Sequence, residues 1–249
     1  MEMLKIDIIG RGNVALHLAK AFEGKADTTI VNPRTIEGLR ADSDIYLISV
    51  TDKAIPEVFS RIKDANGIIA HTSGSTGISM LEREKGRYGV FYPLQTFSKA
   101  SKPDYSTIPV FVEASDTTSK ETLMEAARLF SGNVKEASSE LRGKLHLASV
   151  FSCNFVNHLW AIADAYLKEN GGDFRDLLPL IDETCRKIHS KTPAECQTGP
   201  AIRLDYPTIE LQMQKLDSTP DSQQIYEALT ESIIQMHHKT EKRDERNKL

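Results

Sequence analysis

The stretch Gly10-Arg11-Gly12-Asn13-Val14-Ala15 constrains this chain more than any other. It follows an apolar run at 5–9 (KIDII). It opens residues 13–22, where Val14, Leu16, Leu18, Ala19, Ala21 and Phe22 recur at roughly helical spacing. A strand, a glycine turn and a helix in that order begin a βαβ unit, and a GxGxxA set there is a dinucleotide-binding fingerprint. Gly10 suits a tight turn, Gly12 lets backbone approach a pyrophosphate, and Ala15 is small enough for the helix to pack on the strand. The first helical turn offers free N–H groups and the positive end of a dipole to phosphates. Asn13 and Val14 therefore join the two glycines as expected cofactor contacts.

Strand signals continue at 29–31, 45–50, 67–70, 90–92 and 109–112, with a short last one at Val134. Helical stretches at 55–62, 78–84 and 120–130 lie between several of them. Alternation of this kind predicts an α/β fold with a parallel sheet. The pattern changes near residue 139. Residues 141–168 contain no proline and a single glycine, and read as one helix of about 28 residues. Further helices fit 174–189, 207–216 and 222–240, and no strand signal returns. The expectation is an N-terminal Rossmann-type domain over 1–138, followed by an all-α domain over 139–249 for substrate and dimer contacts.

Cofactor choice is read after the second strand, where an Asp or Glu would hold the ribose hydroxyl of NAD. The chain has Asn32-Pro33-Arg34-Thr35 there. Arg34 can pair with a 2′-phosphate, with Asn32 and Thr35 hydrogen-bonding beside it, which predicts NADP. Val50 and Thr51 follow the third strand and His71 the fourth, at the carboxyl ends where open α/β sheets bind ligands. Val50 and Thr51 are expected on the ribose side. His71 is expected near the nicotinamide, as an acid or base suited to neutral pH.

Charge excludes one class of partner. Residues 1–140 and 141–249 each carry a net −2, so neither part offers a basic surface to nucleic acid. The basic stretch 237–249 is interrupted by Glu241, Asp244 and Glu245 and reads as a solvated helix end. No apolar stretch approaches bilayer length, so no membrane role is expected. Cys153, Cys185 and Cys196 cannot all pair, and their spacing fits no metal pattern. With no charged, apolar leader at the start, a cytoplasmic protein with reduced thiols is expected.

Three further stretches carry a resemblance that spans both parts. They are HTSGSTG (71–77) with YPLQTFS (92–98), HLASVFSCNF (146–155), and TGPAIRLD (198–205). In these the chain resembles a bacterial family of Rossmann-like NADP oxidoreductases with a C-terminal domain of unknown function. The order of domains is similar to that of 6-phosphogluconate dehydrogenase, pyrroline-5-carboxylate reductase and prephenate dehydrogenase, whose C-terminal domain is helical. The resemblance implies a class of chemistry and no particular substrate. Related sequences have His-Pro where this chain has Tyr92-Pro93. A phenol donates a hydrogen bond but is a poor base at neutral pH, which shifts the expected acid–base role to His71 or His146. The superfamily uses a lysine with an asparagine one turn later. If Asn154 is that asparagine, Val150 stands in the lysine's place.

His146, Ser149, Cys153 and Asn157 fall on one stripe of the long helix, with Asn154 about 80° round from His146. Arg203, after Gly199-Pro200, is suited to a carboxylate or phosphate. The expected function is an NADP(H)-dependent oxidoreductase that moves hydride to or from a small anionic substrate in an interdomain cleft. His71 or His146 would move the proton and Asn154 would orient the substrate, while Tyr92, Gln95, Asn157 and Arg203 would bind it. The alternative is a non-catalytic NADP-binding sensor. A homodimer is expected, because the long apolar helix offers more surface than one small domain covers.

Overall fold

The computed structural model describes residues 3–83 and 86–238. Its sheet is built from β1 (Lys5–Ile9), β2 (Asp27–Val31), β3 (Ile45–Ile48), β4 (Ile68–His71), β5 (Tyr88–Pro93), β6 (Val110–Ala114) and β7 (Val134–Glu136). The strand order is β2-β1-β3-β4-β5-β6-β7. Successive side chains of a strand point to opposite faces, and both faces of the sheet are filled. Ile6, Ile8, Ile45 and Leu47 pack with α1 (Asn13–Phe22) and α3 (Thr117–Phe130), and Ile9, Tyr46 and Ile48 pack with α2 (Ile55–Ile62). On the first face, Phe22, Phe91 and Phe130 meet edge to face at 6.1 Å. Each such side chain withdrawn from water contributes about 1.5–3 kcal/mol.

The predicted sheet was parallel throughout, and one pair departs from that: β5 and β6 run antiparallel, with Phe91 opposite Val112. The connection between them explains it. Asn13 Nδ2 donates to Phe97 O at 2.9 Å, and His17 of α1 meets Ser98 O at 2.8 Å. The loop is thereby held at the carboxyl edge of the sheet, and β6 must start back from that edge.

The chain divides into two compact units, residues 1–154 and 155–249. The sheet does end at Glu136, but α4 (Ser139–Ser149), expected in the second domain, belongs to the first unit. Arg142 holds it there. Its guanidinium is fully buried and reaches Glu113 at 2.5 Å, Thr76 O at 2.5 Å and Ser73 O at 3.2 Å. The predicted single helix over 141–168 is helical throughout but changes type. A π-helical segment, Val150–Phe155, separates α4 from α5 (Val156–Glu169). The second unit continues with α6 (Leu178–Lys187), α7 (Tyr206–Gln214) and α8 (Pro220–His238). The expected helix over 78–84 is a short 3-10 turn, Ile78–Leu81. Glu84, and the ending from residue 239 of the last helix and the charged stretch after it, lie outside the described residues. No helix among the described residues is long and apolar enough to cross a membrane.

Candidate functional site

The glycine motif falls where the spacing predicts, with one physical role different. Gly10 has no left-handed backbone, so a turn does not explain it. A Cβ there would sit 2.0 Å from the Ser49 carbonyl oxygen, so glycine is needed for β1 and the end of β3 to approach each other. Gly12 is the opposite case. A Cβ there would meet nothing within 4 Å. Gly12 also caps α1 without any side-chain hydrogen bond to the helix end. An open space in front of an uncapped helix N-terminus is what a diphosphate requires.

That space belongs to a cavity of about 530 Å³, lined on one side by Gly12, Asn13 and Val14 and by Val50 and Thr51. Its other wall is Thr72-Ser73-Gly74, Phe97, Tyr92 and His146. The volume lies in the range of small-molecule and cofactor sites. Asn32, Arg34 and Thr35 follow β2 and are not among the lining residues. Asn32 Oδ1 accepts the Arg34 backbone N–H at 3.1 Å, which shapes the turn, and the Arg34 side chain is exposed. Further along the same connection the fully buried Asp7 carboxylate accepts from Arg40 Nε at 2.7 Å and from its backbone N–H at 2.8 Å.

His71 does not reach the cavity. Its side chain is fully buried at the end of β4. Nδ1 accepts from the Ser73 backbone N–H at 3.2 Å, which leaves the proton on Nε2, 3.4 Å from Gly77 O. Burial, with the Arg142 charge beside it, pushes the imidazole down to about 4. At neutral pH it is a neutral strut of the 72–77 loop.

Two of the lining residues that can move a proton, Tyr92 and His146, touch each other. Tyr92 Oη lies 3.1 Å from His146 Nδ1. Burial raises the Tyr92 phenol above its usual value, with a hydrogen bond to Ser149 acting against it, so the phenol stays protonated at neutral pH. Gln95 is exposed and turns its amide oxygen to the Thr96 N–H at 2.7 Å. Asn154 is exposed within the π-helical segment, outside the cavity lining. Asn157 and Arg203 belong to the helical unit, and both are exposed. Asp205 caps α7 through the Thr208 N–H. A π-helical stretch turns by less per residue than an α-helix, so the stripe expected from His146 through Cys153 to Asn157 is broken at Val150.

Sequence reasoning missed Arg142, Asp52 and Phe97. Asp52 lines the cavity and accepts from Ser75 Oγ, joining the loops after β3 and β4. Phe97 is held against His17 with ring centres 4.6 Å apart. Burial alone would lift the Glu113 carboxyl, but hydrogen bonds from Ser139 and Arg142 outweigh it and hold it below the usual carboxylate value. Arg142 stood in a serine-capped helix start among charged neighbours, and nothing local distinguished it from a surface arginine.

The profile of a family described as a domain of unknown function, DUF2520, matches residues 108–233. A Bacteroides fragilis protein provisionally named an NADP oxidoreductase is 36% identical, with 94% of this chain and 98% of that chain covered and a TM-score of 0.84. The Thermotoga maritima protein TM1727 shares the fold at 17% identity, covering 95% and 99% of the two chains, with a TM-score of 0.71. A reductive aminase from Aspergillus terreus, solved with NADPH and ethyl levulinate, shares it at 13% identity, covering 95% of each chain, with a TM-score of 0.69. The search of curated proteins finds no match.

Proposed function

We propose, from the premise that this chain belongs to the DUF2520 family of Rossmann-type proteins, that it is an NADP(H)-dependent oxidoreductase acting on a small carbonyl or imine compound. One observation carries the reading: the open space at Gly12, in front of the uncapped N-terminus of α1, widens into a cavity that also holds Tyr92 and His146. The residues fit a dinucleotide. Gly12, Asn13 and Val14 would take the diphosphate, and Val50 and Thr51 a ribose. NADPH, when bound, supplies the hydride.

The choice of NADP over NAD rests on Arg34. No carboxylate stands at 32–35, directly after β2, to bind a free ribose hydroxyl, and the exposed Arg34 guanidinium is available to a 2′-phosphate. Titration calorimetry tests this with Arg34→Asp. Loss of a charge-assisted contact should weaken NADPH by about 10- to 100-fold and leave NADH nearly unchanged. Equal losses for both would remove the assignment. Turnover is tested by NADPH oxidation with a panel of 2-oxo acids, ketones and cyclic imines. Binding without oxidation of any of them would favour a sensor over an enzyme.

A homodimer is also part of this proposal. Within the described part of the helical unit only Ala201 is buried, while Leu180 and Met236 are 64% and 68% exposed. Helices draw most of their stability from a covered apolar face, and a second copy would supply that cover. Sedimentation should give about twice the chain mass at micromolar concentration. A reducing compartment accords with the three free cysteines.

A further inference from the structure

We propose that Tyr92 is the proton donor of the reaction and that His146 resupplies its proton. The inference rests on the oxidoreductase reading and assigns the acid that such a reaction needs. Both side chains line the same cavity as Gly12 and Asn13. Their 3.1 Å contact joins the phenol oxygen to Nδ1 of the imidazole. The wall beside them is Gly74, where a Cβ would fall 2.6 Å from Tyr92 Cζ and 2.7 Å from His146 Nδ1. Any side chain at residue 74 would therefore force the two rings to move, and glycine leaves them in contact. Tyr92 also packs near Phe111, with ring planes tilted by 30° and centres 6.4 Å apart.

Other ionisable groups at the cavity are committed or differently suited. Asp52 accepts the Ser75 hydroxyl. Arg11 offers a guanidinium, suited to holding an anion through its N–H donors. Arg142, whose charge also bears on Tyr92, is spent on Glu113 and two carbonyls. His71 is sealed behind Ser73. Tyr92 is almost fully buried and His146 half-buried, so the imidazole is the member of the couple with a path to water.

The balance is simple. As a hydride arrives at the substrate carbon, the π pair of its C=O or C=N bond moves to the heteroatom. The Tyr92 O–H bond breaks and the heteroatom takes that proton. His146 Nδ1–H then returns a proton to the phenolate, and the imidazole is reprotonated from water. One hydride and one proton are consumed for each bond reduced. In the charged form His146 donates through Nδ1 to the phenol oxygen, which frees the phenol hydrogen to face the substrate.

Two measurements test this on the NADPH-loaded protein. In the first, Tyr92→Phe should lower kcat at least about 100-fold on whichever panel compound is reduced, with NADPH affinity kept within about 3-fold. His146→Asn should lower kcat about 10-fold. A kcat for Tyr92→Phe within about 3-fold of the parent overturns the proposal. The second measurement needs no turnover: in a ¹⁵N-histidine spectrum, the His146 Nδ1 resonance should shift clearly in Tyr92→Phe. An unmoved resonance overturns the proposal as well. Failure of the cofactor reading would show elsewhere, as absence of NADPH binding by the parent chain, while the histidine spectrum of the free protein still reports the couple.

Discussion

The two units of this chain solve the problem of burial differently. Residues 1–154 carry three apolar clusters, with Ile6, Leu47, Phe22 and Val112 wholly withdrawn from water. Among the described residues of 155–249 only Ala201 is buried, and large side chains such as Leu180, Leu211 and Met236 stand more than half exposed. The first unit is covered by its own helices. The second leaves large apolar side chains exposed. A parallel sheet leaves no choice in this, since both its faces must be packed, whereas a helix can wait for a partner.

The largest effect sharpens the first half of this comparison, through two glycines that both lie in the first unit. Gly10→Ala would drive a Cβ into the Ser49 carbonyl and should cost more than about 4 kcal/mol, read by denaturant unfolding. Gly143→Ala, in α4 with nothing within 4 Å, should be neutral or stabilising by about 0.5–1 kcal/mol. Similar losses in both would mean that close approach is not what holds the first unit.

Core truncation comes next. Phe130→Ala should cost about 3–5 kcal/mol, because three aromatic neighbours lose their contact. Leu180→Ala should change unfolding of the dilute chain by no more than about 0.5 kcal/mol, and should instead weaken self-association in sedimentation. A large unfolding cost for Leu180→Ala would show that the helical unit carries its own core.

Acid sharpens the contrast from another side. His71 is held neutral in the folded first unit, with its value near 4 against about 6.5 unfolded. Above the unfolded value neither state binds the proton and no effect is expected. As pH falls between the two values the unfolded chain binds a proton that the folded chain refuses. Stability should therefore drop by up to about 3 kcal/mol from pH 6.5 to 4. His71→Asn should flatten that slope. An unchanged slope would place the acid sensitivity elsewhere. The smallest effect belongs to the helical surface. Asp164→Asn, which removes the Lys168 pair at 2.6 Å, should cost at most about 0.5 kcal/mol in thermal unfolding.

Much of the architecture is legible from residues alone. The runs KIDII and IYLI are strands because neighbours on both faces are apolar, and Asn13–Phe22 is a helix because its apolar positions recur at helical spacing. The glycine side of the cavity is legible for the same reason: Gly12, Asn13 and Val14 are consecutive, so local geometry brings them together. The opposite wall is not. Tyr92 and His146 lie 54 residues apart, and their contact depends on α4 being drawn in by Arg142. His71 ends a strand as expected, but only its neighbours decide that it is sealed. The antiparallel turn from β5 to β6 depends on a loop gripped by Asn13 and His17, more than eighty residues back.

The sequence by itself determined the order of strands and helices, the place of the glycine motif between β1 and α1, and the change of character near residue 139. Each is written in side-chain patterns a few residues long, which local backbone geometry reads directly. The tertiary structure decided which histidine meets the cavity, which arginine binds the loop, and where the first unit stops. Those depend on distances between segments far apart in the chain, and such distances exist only once the sheet and its helices have packed.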